Sequence, residues 1–206
     1  MSAARFVLGS TLIAATLAAR LADASTTGDE LVRQAREHEA AHEEDVAVAR
    51  YMDALGLEPQ HEEAWLGLGA LRLRMGEPRE AERVYDAALR RVPTLARALC
   101  GRARARWAEG RRGEAEADLE AYTRDATDTD ALRELAGWYG ADGRTPAQLA
   151  AWRRLLATAA DEASAHEARR MVRALVILVD AADPVASPPT RDPTRRGLAA
   201  IARRGG

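Results

Sequence analysis

A period of 34 residues constrains this chain more than any other feature, because a sequence that repeats at that interval uses one supersecondary unit several times over. Trp65, Leu68, Gly69, Ala81, Tyr85, Ala88 and Pro93 form one spaced set. Thirty-four residues earlier, Ala47, Tyr51, Ala54 and Pro59 stand in the same register. Thirty-four residues later, Gly110, Ala115, Leu119 and Tyr122 fall at the positions of Gly76, Ala81, Tyr85 and Ala88. A fourth unit, one residue short, carries Leu132, Leu135, Ala136, Tyr139, Gly143 and Trp152.

Each unit reads as two helices. Ala81, Val84, Tyr85, Ala88, Leu89 and Val92 recur at helical spacing and give an apolar stripe on one face. Gly76-Glu77-Pro78 predicts a helix stop followed by a helix start, since proline presets φ for a first turn. Thr145-Pro146 repeats the device, with Thr145 expected as the cap. Pro59 and Pro93 follow the second helices, which they cannot extend for want of an N–H. Small residues at Gly69, Ala81 and Ala88 predict close helix approach, with Trp65 and Tyr85 filling the gaps beside them. A last helix is predicted over 162–182, with Ala168, Met171, Val172, Leu175, Leu178, Val179 and Ala182 on one face. The competing strand over 175–179 has nothing to pair with.

The second unit resembles the tetratricopeptide repeat, W-x2-L-G-x2-Y, then A-x3-F, then P. It departs from that pattern at Arg72 and in having Tyr85 for phenylalanine. The other units are degenerate: Leu31, Gln34 and Ala35 stand where Trp65, Leu68 and Gly69 stand, and Thr127 replaces the closing proline. The resemblance covers 28–161 and implies an all-α, right-handed superhelical solenoid of about four helix-turn-helix units. Their bounds are 28–61, 62–95, 96–128 and 129–161, with 162–182 as a capping helix over the end of the stack.

The same resemblance implies a concave groove, lined by the first helices, that holds a peptide segment of another protein. Register places Val32, Glu63 and Ala70 on that face, together with the candidate groove residues Arg36, Leu66, Leu73, Arg97, Cys100, Arg104, Trp107 and Arg133. Leu66, Leu73, Cys100 and Trp107 form an apolar strip, and the four arginines are cations beside it. That pairing suits a peptide with an apolar anchor and a carboxylate, which arginine can grip through two parallel bonds. The competing reading is that these arginines are simply solvated, because all 30 basic residues of the chain are arginine. With no lysine and no asparagine present, the lysine–asparagine clamp of chaperone-binding relatives cannot be built.

Charge and termini narrow the partners. A net charge of −2 and only 4% aromatic residues argue against a nucleic-acid interface. The charge is uneven, however. Residues 28–64 hold 11 acidic residues against 3 arginines, and 72–112 hold 12 arginines against 5 acidic residues. Such a division either stacks copies head to tail, selects a polarised partner or neutralises itself between neighbouring repeats. Residues 1–24 have a basic start at Arg5, an uncharged run from Phe6 to Ala19 and the small–x–small exit Ala22-Asp23-Ala24. They read as a signal peptide directing the chain to the periplasm or outside, or else as an extra N-terminal helix of a cytoplasmic protein. No run is long enough to span a membrane. Residues 183–206, rich in proline and arginine, read as a flexible tail, either solvated or touching anionic surfaces.

One motif points to an enzyme. His38-Glu39-Ala40-Ala41-His42 spells the H-E-x-x-H of zinc hydrolases, which need two imidazoles one helical turn apart and a third ligand. Asp45 occupies the glycine position of the metzincin extension, and register puts His42 at the turn shared with Gly76 and Gly110. The expectation is therefore a non-catalytic, cofactor-free binding protein. A zinc hydrolase or a self-assembling structural subunit are the alternatives.

Overall fold

The computed structural model describes residues 27–125 and 128–182. The expected signal segment 1–24 and the tail 183–206 lie outside the described residues. Two compact units divide after Ala126. The first contains α1 (27–40), α2 (Glu44–Leu57), α3 (Glu62–Arg74), α4 (Pro78–Arg91), α5 (Ala96–Ala108) and α6 (Arg112–Asp125). The second contains α7 (Thr129–Ala141), α8 (Thr145–Thr158) and α9 (Glu162–Ala182), with α9 packed on α8. No strand occurs among the described residues, and 175–179 is helical. The fold is an all-α helical repeat, as the periodicity predicts.

The turns between paired helices repeat one backbone device. Gly76, Gly110 and Gly143 have φ of 76°, 78° and 68°. In each case the following amide reaches back across the turn: Glu77 to Arg72, Arg111 to Arg106 and Arg144 to Tyr139, at 2.9, 2.9 and 2.8 Å. This is the left-handed helix ending that satisfies otherwise orphaned carbonyls and that glycine adopts without strain. The α1–α2 turn makes the same bond, Glu43 to His38 at 2.8 Å, but His42 carries the positive φ of 60°. A side chain there costs about 1–2 kcal/mol, partly offset by glycine's greater freedom when unfolded. His42→Gly is expected to raise unfolding stability by about 0.5–1 kcal/mol, read from urea melts. An unchanged midpoint would contradict strain at this turn.

Helix starts are more varied than the turns. His61 caps α3: Nδ1 accepts from the Ala64 amide at 3.4 Å and Nε2 faces Asp29 Oδ1 at 3.0 Å, which places the ring proton on Nε2. Asp128 caps α7 through the amides of Asp130 and Ala131, both at 3.0 Å. The expectation for α8 is corrected. Arg144 is its N-cap, with no side-chain cap bond, and Thr145-Pro146 are its first two residues. Proline at this position keeps φ helical without losing a bond, so the start needs no side-chain cap.

The apolar stripes of α2 and α4 each pack between two first helices. Tyr51 of α2 is 1% exposed, among Val32 and Ala35 of α1 and Ala64, Leu68 and Leu71 of α3. Tyr85 of α4 is buried with Ala81, Ala88, Ala98 and Ala105. A methyl at Gly67 would sit 2.5 Å from the Tyr51 ring. At Gly69 and Gly101 it would sit 2.4 and 2.2 Å from the Tyr85 ring. Burial pushes the Tyr85 phenol up to about 12, and burial followed by the Glu39 carboxylate pushes Tyr51 up as well. Because the folded state holds these protons more tightly than the unfolded chain, the stabilisation is complete below pH 10. It is lost as pH rises through the folded value. Helical signal and late tyrosinate absorbance should therefore change together between about pH 10 and 12. Ionisation of every tyrosine near pH 10 with the helices intact would refute this.

Candidate functional site

The α5 helix divides its arginines between two faces by helical period. Arg102 and Arg106 turn toward α4 and α6. Arg102 donates to Asp86 at 2.7 Å and, through two parallel bonds, to Asp118 at 2.8 Å. Arg106 donates to Glu82 at 2.8 Å and to Asp118 at 2.9 Å. Arg111, in the turn after α5, adds Glu82 at 2.6 Å and Glu114 at 2.9 Å. These bonds, that to Asp118 foremost, hold the Arg102 guanidinium charged well above its ordinary range. Part of the basic excess of 72–112 is thus spent on neighbouring carboxylates. Neither Asp118 nor this network is evident from the one-dimensional charge count.

Arg97 and Arg104 lie on the other side of α5 and are exposed. Among the described residues Arg97 makes no ion pair. Leu66 and Leu73 of α3 are half-buried against the cluster around Tyr85, so each keeps some surface available. Trp107 is half-buried, with the Arg112 guanidinium 5.1 Å from its ring centre. Cys100 is only 7% exposed and Val32 only 2%, so both serve packing more than contact. Arg36 reaches from α1 to Glu63 of α3 at 2.6 Å, tying the two first helices together. In the second unit Arg133 donates to Glu167 at 2.9 Å and pairs with Asp130. Of the four predicted cations, Arg36 and Arg133 are therefore already met by carboxylates.

The H-E-x-x-H residues are split between helix and turn. His38 lies in the last turn of α1, with Nδ1 2.5 Å from Glu43 Oε2, and His42 lies beyond α1 at positive φ. The one-turn helical spacing that a zinc hydrolase requires is not formed. No group of three or more metal-ligating side chains converges among the described residues. A feature absent from the sequence reading is a cleft of about 430 Å³ on α2, α3 and α4, walled by Met52, Leu55, Trp65, Leu68 and Val84. The Trp65 indole N–H is held by the Pro59 carbonyl at 2.9 Å, which fixes one wall.

Residues 39–103 match the family model described as tetratricopeptide repeat. Solved structures give the same fold. A tetratricopeptide repeat protein from Parabacteroides merdae superposes with a TM-score of 0.60 at 17% identity, over 75% of this chain and 62% of that one. The MamA protein superposes at 0.55 and 18% identity, over 74% and 87% of the two chains. YrrB, described as having an unusual peptide-binding site, superposes at 0.55 and 16%, over 73% and 76%. At these identities the likeness is one of fold. A comparison with curated proteins returns no significant match.

Proposed function

We propose that the chain, which the tetratricopeptide-repeat model matches over residues 39–103, is a non-catalytic scaffold that binds a peptide segment of a partner protein. The binding face is that of α1, α3 and α5 in the first unit. The observation that carries this is Arg97, an exposed cation with no ion pair among the described residues, on the face of α5 that register also assigns to Arg104 and Trp107. A guanidinium in that state is available to a carboxylate, and the half-buried Leu66, Leu73 and Trp107 offer apolar surface for an anchor. Arg36 and Glu63 stiffen the face rather than bind. The motif at 1–24 favours export, which would place the scaffold among complexes of a bacterial envelope.

Crosslinking capture with the chain as bait tests the reading. Arg97→Glu with Arg104→Glu should lower partner capture at least about tenfold with helical signal unchanged. Arg90→Glu with Arg124→Glu, exposed cations of α4 and α6, should leave it intact. Equal capture by both double variants would overturn it.

A further inference from the structure

Exposed large aliphatic side chains are confined to two helices among the described residues: Val46, Met52 and Leu57 on α2, and Ile177 and Leu178 on α9. The charges that accompany them differ: carboxylates surround the first group, and arginines precede the second, with Asp180 alone beyond Ile177. On α2 the exposed companions are Glu44, Asp45 and Asp53, with Arg50 already turned to Asp53 at 3.1 Å. On α9, His166, Arg169, Arg170 and Arg173 surround a hollow of about 220 Å³. Arg170, Arg173 and Ile177 follow one another along a single exposed row. Arg169 is met by Glu162. Arg170 and Arg173, one turn apart, have no ion pair among the described residues and repel each other.

We propose that the chain associates head to tail with a second copy of itself, the outer face of α9 in one copy docking on α2 of the next. Charge selects this pairing over the symmetric ones. Two α2 faces would oppose carboxylates, and two α9 faces would oppose guanidiniums, whereas α9 on α2 pairs the two signs. Shape supports it, because the cleft beside α2, bordered by Met52 and Leu55, has room for an aliphatic side chain of the Ile177 or Leu178 kind. The rim of that cleft is already neutral: Arg72 pairs with Glu77 at 2.6 Å and Arg83 with Glu80 at 2.8 Å. It therefore does not repel the arriving arginines. Each copy carries one face of each kind, so every copy can both offer and receive the contact.

Sedimentation of the full chain over a concentration series tests this with two charge-reversed forms. One is Arg170→Glu with Arg173→Glu, the other Asp45→Arg with Asp53→Arg; all four positions are exposed, and helical signal should not change. The unaltered chain should gain mass with concentration and lose it in high salt. Each reversed form alone should associate at least about tenfold more weakly. Mixed in equal amounts, the two should associate again, because each now offers the complement of both faces of the other. A chain that stays monomeric at every concentration would overturn the proposal. So would reversed forms that associate like the original, or a mixture that stays monomeric.

Discussion

Gly101→Ala is expected to lower unfolding stability by about 2–3 kcal/mol, although an exposed helical glycine replaced by alanine ordinarily gains about 1 kcal/mol. The added methyl would fall 2.2 Å from Tyr85 Cζ, and that ring is only 3% exposed, so it has nowhere to move. Gly69→Ala meets the same ring from the helix of its own repeat, at 2.4 Å, and should cost a similar amount. The chain itself suggests the remedy. In the next repeat Leu119 stands at the Tyr85 position, fully buried, and Ala103 stands where Gly69 would be. Tyr85→Leu combined with Gly69→Ala should therefore cost less than the sum of the two single changes, a coupling readable in a double-mutant cycle. Additivity of the pair, or a stabilising Gly101→Ala, would contradict this packing.

Asp118→Ala is expected to cost about 3 kcal/mol, comparable in size but electrostatic in origin. Asp118 is 7% exposed and accepts from both Arg102 and Arg106. Its removal leaves two part-buried guanidiniums, one facing Asp86 alone and the other facing chiefly Glu82. Asp118→Asn keeps an acceptor but not the charge and should fall between. By contrast, Glu80→Ala removes one side of a pair whose Arg83 partner is 74% exposed, and should barely move the melt. Equal effects at Asp118 and Glu80 would show that the α4–α5–α6 network contributes no more than a surface pair.

What could be read from the sequence follows from where each signal lies. Stripes at helical spacing, with Gly76 and Pro78 between them, are local, and they predict paired helices without tertiary knowledge. His42 was legible as a turn residue only because Gly76 and Gly110 share its register, and its φ of 60° bears that out. Gly69 was legible as a close approach because it belongs to the repeat pattern. Gly101 was not, since its partner Tyr85 lies on the preceding helix of another repeat and a helical glycine carries no local signature of contact. The arginines of α5 show the same limit. The spacing 97 and 104 against 102 and 106 separates two faces of one helix, but which face meets carboxylates depends on Glu82, Asp86 and Asp118 arriving from α4 and α6. Cys100 read as a groove residue by register and is nearly closed off, at 7% exposed, because burial depends on the helices packed over a position and not on its register. The missed start at Thr145 is simpler: proline is accepted at either of the first two helical positions, so it does not fix the cap to one residue.

On the proposed function, a partner peptide lies across the face carrying Arg97 and Arg104. Site-directed photocrosslinking examines it most directly, with a photoreactive side chain placed singly at 97, 104, 90 or 124. One common partner band is expected from positions 97 and 104, and none from 90 or 124 on α4 and α6. The same partner crosslinked equally from all four positions, or only from 90 and 124, would contradict it.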